Sequence, residues 1–169
     1  HIMEKTILID GREVRFKATA NTPRLYRLKF RRDMLQDMAK LAKGIDTRDI
    51  RSDDIKILEN AAYIMALQAD EDIGDKDGFV NESVYGAVFD ILELWNENML
   101  TITEPKNTPA GSSRQITAAM FYLRCLQLGL SISDLDLLSV GMVIDILIEH
   151  NNDSCEYETA ATQADFDNF

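Results

Sequence analysis

A dense run of carboxylates, DEDIGDKDG, is the stretch of this sequence whose residue types come closest to a metal site. Carboxylates at alternate positions before a glycine are the ligands of an EF-hand calcium loop. Aligning Gly78 with the glycine of such a loop places Asp75 and Asp77 at ligand positions. It also places Ile73 at the first ligand and Val84 at the last, where a bidentate glutamate belongs. The run therefore predicts an acidic turn that caps the next helix, and no calcium site.

Residues suited to nucleophilic or acid–base catalysis are sparse in this chain. His150 is the only histidine apart from His1, which we interpret, together with Ile2, as a cloning remnant. Cys125 and Cys155 lack the spacing of metal ligands, and the sequence has no glycine-rich phosphate loop. Two unrelated thiols are typical of a reducing compartment. We predict a cytoplasmic protein that is not an enzyme and needs no metal or cofactor.

Three arginines, Arg24, Arg27 and Arg31, recur at helical spacing and would form a ridge on one helix face. Such an arginine ridge is suited to an acidic partner or to nucleic acid. The alternative is a solvated face whose charges are satisfied by nearby acids such as Asp33 and Asp37. The residue pattern leaves both interpretations open.

The charge of the chain is unevenly distributed. The net charge is −11, but the first 56 residues carry 14 Lys and Arg against 9 Asp and Glu. Such asymmetry permits head-to-tail self-association, although two independently solvated surfaces explain it equally well. No apolar run approaches the ~20 residues that span a bilayer, so no membrane partner is predicted.

The elements that position these residues begin with a hairpin between Lys5 and Lys17. Asp10-Gly11 is a preferred two-residue hairpin turn. Pairing Ile9 with Arg12 places four apolar side chains on one face of the hairpin: Ile7, Ile9, Val14 and Phe16. A lone hairpin is marginally stable in water, so this face must pack against helices or against another chain.

Helical segments follow, each opened by residues that favour helix starts. We predict starts at Asn21 or Thr22, at Ser52, and at Asn81 or Ser83. The first helix is predicted to run without interruption to Gly44. Further along, Gly129 predicts a helix end, Ser131 and Ser133 are both candidate caps of a small helix, and Ser139 is a candidate cap of a final apolar helix. The predicted fold is mainly α (α+β), with five to six helices and an N-terminal β-hairpin.

Composition divides the chain into four segments. Residues 103–113, TEPKNTPAGSS, have the composition of a linker. This linker separates an N-terminal part, 3–102, from a C-terminal helical part, 114–150. Residues 151–169 form an acidic tail that we predict to be mobile. Its aromatic residues suit docking to another chain or folding back onto the same chain: Tyr157, Phe166 and Phe169.

Three stretches of this sequence together resemble a known family. They are IDGREVRFKATANTPRLYRLKF near the start, LRCLQLGLSISDLDLLSVGMVIDILIE over residues 123–149, and ATQADFDNF near the end. These stretches resemble the tail assembly chaperones of long-tailed phages and prophages of Gram-positive bacteria. The likeness covers nearly the whole chain, but it contains no chemical signature of a site.

The resemblance implies a non-enzymatic protein that coats the tape-measure protein, recruits tail-tube subunits and leaves the finished particle. In such families a shorter and a longer product commonly arise by ribosomal frameshifting. The linker is then a candidate product boundary, and the C-terminal part a candidate contact for the tail tube. The arginine ridge would serve self-association or the partner, and Phe166 and Phe169 would serve docking.

A DNA-binding regulator is the alternative, because residues 123–149 can be drawn as a helix-turn-helix. The candidate second helix, VGMVIDILIE, is apolar or acidic throughout. A recognition helix needs Arg, Lys, Asn or Gln to reach base edges. Only the arginine ridge supports this alternative, and the acidic C-terminal part opposes binding to a polyanion.

Overall fold

The computed structural model describes residues 3–106 and 115–153. Its strands are β1 (Glu4–Ile9) and β2 (Arg12–Lys17). The helices of the described residues are α1 (Thr22–Phe30), α2 (Met34–Thr47), α3 (Ser52–Ala69), α4 (Lys76–Phe79), α5 (Glu82–Gly86), α6 (Val88–Met99), α7 (Ala118–Gln127), α8 (Ile132–Leu135) and α9 (Val140–Asn152). The fold is mainly α with an N-terminal hairpin, which confirms the predicted class.

The hairpin has the predicted register, with Ile9 opposite Arg12 in an antiparallel pair. Asp10 and Gly11 have φ angles of 50° and 74°, as a type I′ turn requires. The apolar face predicted from alternation is turned inward, because Ile7, Ile9 and Phe16 are buried. This face rests on α3 and, through β1, on α5 and α6. The hairpin is therefore covered by helices of its own chain.

The prediction of a single helix from residue 22 to Gly44 is wrong, because the chain forms two helices there. Arg31 adopts a left-handed conformation, φ 54°, and ends α1. Asp33 then caps α2, its carboxylate accepting the Gln36 N–H at 3.2 Å. Apolar side chains recur at helical spacing on both sides of this break, so the sequence pattern gave no sign of it. The second helix passes through Gly44 and ends at Thr47.

The third predicted helix is also divided, into α5 and α6. Asn81 caps α5 as expected, its side chain accepting the Ser83 N–H at 3.0 Å. At Ala87 the backbone leaves helical geometry, with ψ near 3°. Asp75 caps the short α4 by accepting the Gly78 N–H. These divisions and the short α4 explain why nine helices occur in the described part, against five or six predicted.

Gly129, Ser131 and Ser139 have the capping roles predicted for them in the C-terminal part, whereas Ser133 lies inside α8 and is not a cap. Gly129 has φ 80°, and the Leu130 N–H returns to the Cys125 carbonyl at 3.0 Å, the bond of a Schellman motif. Ser131 and Asp134 form a reciprocal capping box at α8. Ser139 caps α9, accepting the Met142 N–H at 3.1 Å.

One hydrophobic core includes residues from both sides of the predicted linker. Phe121, Cys125 and Val143 belong to the same buried cluster as Phe16 and Trp95. Burial raises the pKa of the Cys125 thiol to about 11. The segments 3–102 and 114–150 therefore share a core over their described residues. As a boundary between two products, the linker remains a prediction.

The described end of the predicted linker lies along α9. The Asp145 carboxylate accepts the backbone N–H groups of Ile102 and Thr103. Asn152 accepts the Lys106 N–H and donates to the Glu104 carbonyl. Residues 107–114 lie outside the described residues. Within the part of the chain that is described, no helix is both long and apolar enough to cross a bilayer.

Candidate partner-binding groove

Helices α2 and α6 each pack against α3 and leave an open groove between them. We call it the α2/α6 groove. Its volume is about 700 Å³, and its walls are mainly apolar. Residues that define it include Leu35, Met38 and Ile45 of α2, and Phe89, Trp95 and Met99 of α6. An open apolar groove between two helices is the form of site that binds an amphipathic helix.

Some of the apolar side chains that line this groove are buried, and others are exposed. Leu35, Met38 and Trp95 are buried and belong to the protein core. Phe89, in contrast, is 83% exposed, and Leu100 is 49% exposed. Exposed large apolar residues that gather around a concave apolar surface mark an interaction site.

The sequence of each wall explains why the groove stays open. Helix α2 presents the small residues Ala39 and Ala42 to the groove, which leaves space that a larger side chain would fill. Helix α6 carries two apolar faces. Ile91 and Leu94 point into the core, whereas Phe89 and Leu92 line the groove. Helical spacing within α6 does not show that one of its apolar faces lacks a covering element.

The charged residues that line the groove are all acidic: Asp46, Glu93 and Glu97. Glu93 is ion-paired with Lys5 of β1, which also contacts Asp90 at 3.1 Å. Neither Asp46 nor Glu97 has an ion-pair partner within residues 3–106 and 115–153. The edge of the groove is therefore negative.

A smaller groove lies between α7 and α9. Its volume is about 360 Å³, and its apolar lining includes Phe121, Leu128 and Leu147. The charged or titratable residues in its lining are Arg124 and His150. The two grooves thus differ in size and in the sign of their charge.

Arg24 and Arg27 of the arginine ridge lie on α1, whereas Arg31 follows the helix as its left-handed C-cap, so the three arginines do not form one continuous helical ridge, and none lines either groove. Arg27 and Arg31 are exposed, and Arg24 is half-buried. The acids expected to satisfy them have other partners. Asp33 caps α2 and accepts the Ala118 N–H at 2.8 Å, while Asp37 binds a different arginine. No ion pair involves Arg24, Arg27 or Arg31 in the described part of the chain, so the charges of the ridge are available to solvent.

Tyr157, Phe166 and Phe169, the predicted docking residues of the tail, lie outside the described residues. Their proposed role remains a prediction.

Sequence reasoning missed Arg32, which joins α2 to α3. Its guanidinium contacts Asp37 at 2.7 Å and Asp53 at 3.0 Å, and Lys40 contacts Asp53 at 2.5 Å. The Tyr26 hydroxyl donates to Asp37 at 2.7 Å. Arg32 and Lys40 together hold the pKa of the Asp53 carboxyl well below its usual range. No sequence signal predicts this ionic cluster, because Asp53 belongs to a separate helix.

We expect Arg32→Gln to reduce the dependence of stability on pH in the acidic range. The lowered pKa of Asp53 in the folded state stabilises the protein above the unfolded-state pKa of about 3.9, and this contribution is lost as the pH falls further. Urea unfolding between about pH 5 and about pH 3 should show a smaller loss of stability for Arg32→Gln than for the original chain. The control is Arg51→Gln, since the Arg51–Asp49 pair is largely exposed. Parallel pH profiles for the original chain and Arg32→Gln would contradict the expectation.

Two other chemical interpretations find no support in the geometry. The described residues contain no group of three or more His, Cys, Asp or Glu side chains able to hold a metal ion. Helix α9, the candidate recognition helix, buries Val140 and Val143 and exposes Ile146 and Glu149. His150 and Asn151 are also exposed at its C-terminal end, but the segment 140–149 offers no donor suited to base edges or phosphates.

The groove is thus the described surface best suited to binding another macromolecule. No protein family, no characterised protein and no solved structure matches this chain.

Proposed function

We propose that this chain is a phage tail assembly chaperone that binds a helical segment of the tape-measure protein in the α2/α6 groove. The observation that carries the proposal is the groove itself, with its apolar walls and the exposed Phe89 at its edge. A long helical protein that exposes an apolar seam aggregates unless that seam is covered. Occupancy of the groove would cover part of the seam while the tail is assembled.

The remaining roles follow the expectations from sequence. The chaperone acts in the host cytoplasm, is absent from the mature virion, and gathers tail-tube subunits through its C-terminal part and tail. Binding of those subunits displaces it from the tape measure. The arginine ridge, with no ion pair among the described residues, serves self-association or contact with an acidic partner. No catalytic step and no cofactor is part of this function.

DNA binding remains the alternative from sequence, and no structural observation favours it. The arginine ridge is not part of α9, and over residues 140–149 the exposed side chains of α9 are apolar or acidic. A phosphate-binding surface requires bases near the element that enters the groove of DNA.

The proposal is tested by capturing partners from the host after phage induction. The immobilised chain is incubated with the lysate, with and without nuclease, and bound proteins are identified by mass spectrometry. Recovery of a long helical tape-measure protein that is insensitive to nuclease supports the proposal. Recovery of DNA, or of partners that nuclease removes, would favour the regulator.

Phe89→Ser is expected to weaken binding of the tape-measure protein at least tenfold. Burying a phenylalanine side chain contributes about 1.5–3 kcal/mol, and about 1.4 kcal/mol is a factor of ten in affinity. The matched control is Leu8→Ser, since Leu8 is 70% exposed on the outer face of β1 and lies away from the groove. Affinities are measured by titration with purified tape-measure protein. Equal affinities for the two variants would contradict binding of the tape-measure protein in the α2/α6 groove.

A further inference from the structure

We infer that the α2/α6 groove selects an amphipathic helix whose apolar stripe is flanked by lysine or arginine. This inference rests on the proposed function and names the chemistry of the partner segment. It follows from the length of the groove, the nature of its walls and the sign of every charge that lines it.

The dimensions of the groove suit a helix of about three turns. The lining of α2 extends from Leu35 to Asp46, and that of α6 extends from Phe89 to Leu100. Each wall therefore covers about three helical turns, or roughly 17 Å. A partner helix would place apolar residues at spacings of three and four along this length.

The charges of the groove act on the residues that flank such an apolar stripe. Asp46, Glu93 and Glu97 are the charged residues in the lining, and the lysines of α2, Lys40 and Lys43, are not part of it. The last turns of α2 and α6 contain no basic residue, and both contribute to the groove. The groove runs along both helices from the N-terminal to the C-terminal end, so the positive and negative ends of the helix dipoles both line it and the side-chain charges set its sign.

Charge over longer distances acts in the same direction from the α6 side, because the acidic excess of the chain lies after residue 56, whereas α2 lies before it. The chain as a whole has a net charge of −11. A cationic segment is thus attracted before contact and is held at the edge of the groove after contact. An acidic helix with the same apolar stripe would meet like charges on both walls.

Helix α1 of a second copy is a poorer occupant, although it carries Arg24 and Arg27 of the cationic ridge. Helix α1 has nine residues and buries Thr22, Pro23 and Tyr26 in its own core. Leu28, 65% exposed, is its one large apolar residue that is fully available. A single leucine cannot fill a groove of about 700 Å³.

The test uses the full chain and three fluorescent helical peptides of about 18 residues, long enough to cover the three turns of the groove. All three carry the same leucine stripe, and the flanking positions hold lysine, glutamine or glutamate. We expect the lysine peptide to bind roughly tenfold more tightly than the glutamine peptide, as two or three exposed ion pairs allow. The glutamate peptide should bind least tightly. The differences should diminish as salt is raised, because exposed charges are screened.

Charge variants locate the effect in the groove. The double variant Asp46→Asn, Glu97→Gln should lose most of the preference for the lysine peptide. The control variant Asp77→Asn, Glu149→Gln changes the net charge equally at exposed positions outside the groove and should keep the preference. An equal loss in both double variants would show that only the net charge matters, and would overturn the inference.

The remaining outcomes separate this inference from the proposed function. Equal affinity for all three peptides, with binding still weakened by Phe89→Ser, would overturn the charge selection and leave the chaperone function intact. Failure of every peptide to bind, together with self-association that the groove variants abolish, would overturn the inference in favour of a second copy.

Discussion

Replacing Gly141 with alanine is expected to lower the free energy of unfolding by about 2–3 kcal/mol. An added Cβ would lie 1.8 Å from the Leu100 carbonyl oxygen and 2.5 Å from the carbonyl carbon. Both atoms are backbone, so no side-chain rotation can relieve the overlap. Alanine favours a helix over glycine by at most about 1 kcal/mol, which is less than the cost of moving two segments apart.

The relief of this overlap would also break neighbouring hydrogen bonds. If α9 moves away from Leu100, the Asp145 carboxylate separates from the N–H groups of Ile102 and Thr103, now at 3.0 and 2.9 Å. Gly141 thus allows the chain after α6 to lie directly on α9. Overpacking against backbone is among the more costly substitutions in a core.

Urea unfolding, followed by the fluorescence of the single tryptophan, Trp95, measures the effect. Gly86→Ala is the matched control, because an added Cβ there meets no atom within 4 Å. We expect that control to be neutral or more stable by up to about 1 kcal/mol. A Gly141→Ala variant as stable as Gly86→Ala would contradict the close approach of Leu100 to α9.

Asn98→Leu is expected to destabilise the protein by about 2–3 kcal/mol, although leucine has a similar volume. The Asn98 side chain is fully buried. Its amide donates to the Thr19 carbonyl and accepts the Val140 N–H, both at 3.2 Å. Removing it leaves the Val140 N–H buried without this partner, and an unpaired buried donor costs about 1–3 kcal/mol. The contacts that join α6 to the start of α9 would be weakened together.

Asn96→Leu on the same helix is the control, since Asn96 is exposed. Surface substitutions usually change stability by less than about 0.5 kcal/mol. This variant should therefore unfold at the same urea concentration as the original chain. Comparing the two separates the loss of buried hydrogen bonds from any effect of leucine on the helix. Asn98→Leu unfolding at the same urea concentration as Asn96→Leu would show that the Asn98 bonds contribute nothing.

These two sites share a consequence for the proposed function. Gly141 and Asn98 both fix α9 against the C-terminal end of α6, and that end supplies Met99 and Leu100 to the α2/α6 groove. The C-terminal part of the chain therefore supports one wall of the groove. A product that lacked α9 would lose both the Leu100 contact and the Asn98–Val140 hydrogen bond.

The sequence by itself determined the local elements of this protein. Asp10-Gly11 dictates the hairpin turn and its register, because both positions require positive φ. Gly129, Ser131 and Ser139 specify where helices end and begin, since their conformational freedom or side-chain oxygens satisfy backbone groups locally. The fold class followed from these local signals and from helical spacing.

The tertiary structure alone decided which apolar faces are covered. The break at Arg31 was invisible to periodicity, because Phe30 and Met34 continue the same apolar stripe on either side of it. The Arg32–Asp53 pair and the Gly141–Leu100 contact join residues distant in sequence. The groove arises because α2 and α6 both pack against α3 but leave a space between each other. The residue pattern of a single helix cannot show whether another element covers a given face.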